Sequence, residues 1–102
     1  MNDFIPSEFY LGQNYPNPFK DRTTIKYCVA QKTRVKLIVY DANGKEIEIL
    51  VDEEKQPGTY KVEFNIAHST DDESSPVINN KIYYYCLEAG GYSSEKKMEL
   101  IK

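Results

Sequence analysis

Six separate stretches of this chain of 102 residues read as strands, five alternating apolar and polar side chains with a period of two and one apolar on both faces, and none carries the apolar stripe of a helix. Successive side chains of a strand point to opposite faces, so each alternating run describes a strand with one buried face. Thr23 to Val29 sets Ile25, Tyr27 and Val29 against Thr24, Lys26 and Cys28. Arg34 to Tyr40 repeats this with Val35, Leu37 and Val39, and Glu46 to Val51 follows. Thr59 to Asn65 aligns Tyr60, Val62 and Phe64, and Ser94 to Ile101 sets Met98 and Leu100 against Lys97 and Glu99. Lys81 to Ala89 differs in being apolar on both faces, with Tyr83, Tyr85 and Leu87 on one and Ile82, Tyr84 and Cys86 on the other. Such a strand is central, or its second face meets something outside the domain.

The links between the runs carry turn chemistry. Asn43-Gly44, within Asp41-Ala42-Asn43-Gly44-Lys45, favours the positive φ of a tight hairpin or of a three-residue turn with a bulge. Asp52 to Gln56 reads as a charged loop before the turn residues Pro57-Gly58, and Gly90-Gly91 turns the chain into its last run. Residues 67–81 read as a long polar loop, with Val77 and Ile78 as candidates for a short strand. Ahead of the first run, Pro16 and Pro18 forbid both a helix and a central strand, so residues 1–22 form an extended lead-in along a surface or edge. Together these features predict one all-β domain over 1–102, an antiparallel β-sandwich of six to seven strands, with a small barrel as the alternative. A chain of this length buries about two-thirds of its unfolded surface, enough for one modest core.

Composition narrows the function. Thirteen Lys and Arg against sixteen Asp and Glu give a net charge of -3, the wrong sign for nucleic acid, whose phosphates need clustered cations. Nine Tyr and no Trp place the aromatic content in residues that pack a ring and keep a wet hydroxyl. Cys28 and Cys86 lie in different runs and are expected as two free thiols. No apolar run approaches the ~20 residues that span a bilayer. The start, Met1-Asn2-Asp3-Phe4-Ile5-Pro6, lacks a basic and then apolar leader, so an exported form would carry its signal upstream or have had it removed.

Catalytic chemistry finds little support. The single histidine, His68, stands in a polar loop without a nucleophile elbow, and His68 with Asp71, Asp72 and Glu73 reads as solvated loop charge rather than a metal site. Asp41-Ala42-Asn43-Gly44 looks like a fragment of a calcium loop but lacks the remaining ligands, so the hairpin reading prevails. Glu46 and Glu48 share an exposed strand face, and there is no glycine-rich phosphate loop. No catalytic, cofactor-binding or metal-binding residue is therefore expected.

Leu11-Gly12-Gln13-Asn14-Tyr15-Pro16-Asn17-Pro18-Phe19, followed by Thr23-Thr24-Ile25-Lys26-Tyr27, resembles the opening of the type A C-terminal sorting domain of proteins exported by the type IX secretion system. It is similar also to a near relative, the immunoglobulin-like domain of the flagellar hook-capping protein. Val39 to Ile47, Gln56 to Val62, Tyr83 to Gly90 and Lys96 to Lys102 resemble the family's later turns and its closing hairpin, in the family's order. The chain departs in 67–81, which is longer and more acidic than the family's approach to its penultimate strand, with Asn80-Lys81 where a glycine is usual.

The resemblance implies an immunoglobulin-like or fibronectin type III-like sandwich that is not an enzyme. Gly44, Gly58 and Gly90 would permit turns, Tyr40, Tyr60, Tyr83 and Tyr85 would pack between strands, and the terminal strand with Lys96, Lys97, Met98, Leu100 and Lys102 would carry sorting and recognition. It further implies export and surface anchoring of a passenger, with outer-membrane export machinery and its processing peptidase as partners. No small-molecule substrate is implied, and the location would be secreted or cell-surface, reached through the periplasm of a Gram-negative bacterium. The alternative is a structural or adhesive module that packs against a partner or its own copy through Ile82 and Tyr84, as the hook-capping relative does.

Overall fold

The computed structural model describes residues 7–65 and 81–101. Seven strands run β1 (Tyr10–Leu11), β2 (Arg22–Val29), β3 (Thr33–Asp41), β4 (Glu46–Lys55), β5 (Gly58–Asn65), β6 (Lys81–Ala89) and β7 (Tyr92–Leu100), with no helix among the described residues. They form two antiparallel sheets, one ordered β1-β2-β5 and the other β4-β3-β6-β7, so the arrangement is a sandwich rather than the alternative barrel. All six runs are strands. The doubly apolar run is β6, central between β3 and β7.

Alternation decides which face is buried. Ile25, Tyr27 and Val29 of β2, Val35, Leu37 and Val39 of β3, and Tyr83, Tyr85 and Leu87 of β6 meet in one core with Phe64, Met98 and Leu100. Burying one such side chain contributes about 1.5 to 3 kcal/mol, so this shared layer is what holds the two sheets together. Phe19 and Phe64 meet edge to face at 6.2 Å, and Phe64 meets Tyr83 at 6.1 Å, which joins the lead-in, β5 and β6 across the sandwich.

One expectation is corrected. Asp52 to Lys55 is not a loop but the second half of β4, paired through Lys36↔Asp52, Val35↔Glu53, Arg34↔Glu54 and Thr33↔Lys55. An edge strand needs its ladder on one side only, so it tolerates a charge at nearly every position. Here Arg34 donates to the Asp52 carboxylate at 3.0 and 3.1 Å, and the Lys55 ammonium lies 2.8 Å from Glu53 and 4.7 Å from the centroid of the Tyr60 ring. At the β3–β4 turn Gly44 has φ 89°, a left-handed conformation that a side chain would strain. Asp41 Oδ1 accepts the N–H groups of Asn43 and Lys45, so the carboxylate closes its own turn. Cys28 and Cys86 are free, one on each sheet. The long polar loop of 67–81, apart from Lys81 in β6, lies outside the described residues, as do His68, Asp71, Asp72, Glu73, Val77 and Ile78.

Candidate functional site: the terminal strand and the segment that closes it

One side of β7 is paired to β6 from Ala89↔Tyr92 to Lys81↔Leu100. The other side would be an open edge, a row of unpaired N–H and C=O groups. The lead-in covers it. Phe9 stacks on Tyr92 at 5.6 Å, Gln13 Nε2 donates to the Lys97 carbonyl at 2.8 Å, and Asn17 Oδ1 accepts the Glu99 N–H at 3.0 Å. Phe19 donates its N–H to the Glu99 carbonyl at 2.9 Å and accepts the N–H of Ile101 at 2.8 Å, a parallel bridge to Leu100.

The same segment begins on the opposite sheet. Tyr10 and Leu11 pair with Cys28 and Tyr27 of β2, and Tyr15 exchanges both backbone hydrogen bonds with Thr24 at 2.9 Å. Between Tyr15 and Phe19 the chain therefore crosses from one sheet to the other. Pro16 and Pro18 suit this crossing because neither carries an N–H that would be stranded between ladders. Both of their peptide bonds are cis. Asn17, between them, offers a side-chain oxygen to β7 in place of a backbone carbonyl.

Two buried groups hold the crossing in place. Asn14, 2% exposed, donates from Nδ2 to the Pro16 carbonyl at 3.1 Å and to Thr23 Oγ1 at 2.9 Å, and Thr23 Oγ1 donates to the same carbonyl at 2.9 Å. Tyr85, fully buried in β6, accepts the Asn14 N–H and donates its own O–H to the Gly12 carbonyl, each at 2.7 Å. A buried polar group left unpaired costs about 1 to 3 kcal/mol, so Tyr85 satisfies two lead-in backbone groups that neither sheet reaches. Burial pushes its phenol up to about 12, with the Asn14 N–H working in the opposite direction. Tyr27 and Tyr83 are likewise raised by burial.

The residues singled out from the sequence fall at distinct places around this strand. Met98 and Leu100 face the core, 0% and 5% exposed. Lys96, opposite Tyr85, is half-buried on the core side, whereas Lys97, opposite Tyr84, is exposed on the outer face. Lys102 lies outside the described residues. Gly44 and Gly90 occupy turns with positive φ, and Gly58 opens β5. Tyr83 and Tyr85 are in the core, Tyr60 stacks on Tyr27 at 5.4 Å and donates to the Gln56 carbonyl at 2.6 Å, and Tyr40 lies half-exposed on the outer face beside Tyr84. Sequence reasoning missed Gln13, Asn14, Asn17, Phe19 and Thr23. The available signal was Asn17 between two prolines and Asn14 two residues ahead of the first, where a side-chain amide commonly replaces a missing backbone partner.

No comparable polar assembly occurs elsewhere among the described residues. A surface depression of about 520 Å³ brings Asp41 and Lys81 beside Ile47, Ile82 and Tyr83, without a nucleophile and base together. No group of three or more His, Cys, Asp or Glu among the described residues is placed to hold a metal ion, and no helix is long and apolar enough to cross a membrane.

A family model described as the secretion system C-terminal sorting domain matches residues 13–100. The match takes in Gln13 to Phe19 of the lead-in and β7 through Leu100, while Phe9 to Gly12 and Ile101 of the assembly lie outside it. No curated protein matches the chain, and no solved structure does.

Proposed function

The chain belongs to the secretion system C-terminal sorting domain family, and from that premise we propose that export machinery reads it as a folded, non-catalytic unit. A domain of this family is a C-terminal sorting signal for type IX secretion, and its protein is secreted or displayed at the cell surface. The partners in this reading are the outer-membrane translocation machinery and a peptidase that processes the tag after passage through the periplasm. The carrying observation is that β7 is closed by residues 13–19, so the strand expected to mark the tag is embedded in the fold rather than hanging from it. Residues 1–102 act as one unit in this reading. An immunoglobulin-like build is supported by the way the lead-in passes from one sheet to the other.

The test is a reporter placed behind a signal peptide and ahead of the intact chain, or of the chain lacking Glu95 to Lys102, in a bacterium with type IX export. Surface reporter is expected from the first and not from the second. Equal delivery from both, or none from either, refutes the reading.

A further inference from the structure

The side chains of Asn14, Asn17 and Phe19 each have a partner inside the fold, but the ring of Tyr15 does not: it is 79% exposed while its backbone is bonded in both directions to Thr24. An aromatic held out on a fixed backbone loses little entropy when it is covered, which is why Tyr is frequent among residues that dominate interfaces. Tyr15 and Thr24 point to the outer face of the three-stranded sheet, because Thr23 and Ile25 on either side of Thr24 face the core. Tyr10, 52% exposed and opposite Cys28, lies on the same face. Its ring lies over Gly12, where an added Cβ would stand 3.2 Å from a ring carbon, and its backbone is fixed by pairing with Cys28.

Lys26 projects between the two tyrosines, two residues from Thr24 and two from Cys28 along β2. Directly across the strand pair stands Lys61, also exposed. Like charges directly opposite one another on a sheet are destabilising, and neither lysine has an ion pair among the described residues. Farther along, Arg22 reaches Glu63 only at 3.9 Å. The face therefore presents three cations to one carboxylate in a chain whose net charge is -3. Two unpaired lysines fall short of the four to eight or so cations that hold a protein on an anionic membrane, whereas two fixed tyrosines beside them suit a carboxylate-bearing protein surface.

We propose that the outer face of the three-stranded sheet, with Tyr15 as anchor and Tyr10, Lys26 and Lys61 around it, docks onto an acidic surface of a protein of the export machinery. This rests on the sorting function above, and the test separates the two. In the reporter fusion, the intact chain is compared with Tyr15→Ser, Tyr15→Phe, Lys26→Glu with Lys61→Glu, and Lys26→Arg with Lys61→Arg. Each purified domain is melted and mixed with phosphatidylglycerol vesicles. The proposal expects melting within a few degrees of the intact domain for all variants. It expects surface delivery to fall about tenfold or more for Tyr15→Ser and for the double charge reversal, as for loss of an interface hot spot, with Tyr15→Phe and the double arginine variant near the intact level.

If the intact chain delivers the reporter and both disruptive variants deliver it equally well, the docking face is wrong and the sorting function stands. If the intact chain delivers nothing, the sorting function falls and the docking face with it. Vesicle binding that the double charge reversal abolishes would assign the face to lipid and overturn the proposal. Should Tyr15→Ser melt early, the charge reversal and its arginine counterpart decide alone.

Discussion

At one edge of the four-stranded sheet β7 is sealed by residues 9–19, with main-chain bonds to Phe19 and side-chain bonds from Gln13 and Asn17, whereas at the other edge no described strand pairs with the outer side of β4. β4 is protected differently. Its register to β3 shifts twice, between Leu37 and Ile38 and again between Val39 and Tyr40, and it carries acids at Glu46, Glu48, Asp52, Glu53 and Glu54. Bulges and charge both discourage another strand from adding to an edge. The closed edge joins residues far apart in the sequence, so no part of it forms without the rest. The open edge needs only its neighbour β3 and is accordingly tolerant.

The largest effect should come from breaking the closed edge. Removing Met98 to Lys102 deletes two core side chains worth about 1.5 to 3 kcal/mol each and strips Phe19 of both backbone partners. A domain of this size has only about 5 to 15 kcal/mol in total. The truncated chain is expected to lose its cooperative thermal transition or to aggregate, as followed by circular dichroism. A cooperative melt within a few degrees of the intact chain would mean that the two edges are not the opposites described here.

How much of this was legible depends on whether local pattern or distant partnership sets the structure. The strands with one buried face, such as Thr23 to Val29, announce themselves because their burial is decided by neighbours two residues away. Two apolar faces marked β6 as either central or in contact with something outside the domain, and only the sheet order places it between β3 and β7. The second half of β4 was misread because charge density was weighed as loop composition, although an edge strand can carry charge on both faces. The role of the proline-rich lead-in was only half visible: it was expected along an edge, but nothing local to Asn17 names Glu99 as its partner. Lys96 and Lys97 look alike in sequence, yet adjacent positions on a strand face opposite ways.

Alkaline pH tests the buried pin of the closed edge. Tyr85 has an ordinary phenol value of 10.0 that the fold raises to about 12, so the neutral form is the one the native state favours. Its contribution is complete below about pH 10 and is lost as pH rises through about 12. The part of the urea unfolding midpoint that Tyr85 supplies is expected to hold steady up to the first value and fall between the two. Tyr85→Phe should be less stable at neutral pH by about 1 to 3 kcal/mol, since the Gly12 carbonyl and Asn14 N–H lose their partner. Its alkaline fall should also be shallower. Cys86, Tyr27, Tyr40, Tyr83 and Lys55 are raised as well and lose stability in the same direction, the thiol from about pH 9 upward, so the difference between the two proteins, not the intact chain's slope alone, is the measurement.

The smallest effect is expected on the open edge. Ile47 and Ile49 are 42% and 45% exposed, among the most exposed large apolar side chains described, and Ile49 stands opposite Ile38 on β3. Ile49→Thr keeps the β-branched shape that a strand favours and exchanges a half-wet ethyl arm for a hydroxyl that water can satisfy. Its cost should stay near 0.5 kcal/mol or about that, the range of surface substitutions, which lowers the melting temperature by no more than about 4 °C in a domain of this size. Met98→Ala, on the closed edge and fully buried, should cost about 2 to 5 kcal/mol. Paired thermal melts of the two variants compare the edges directly. Equal losses would show that β4 is packed as tightly as β7 and that Ile49 is covered in solution by something beyond its own sheet.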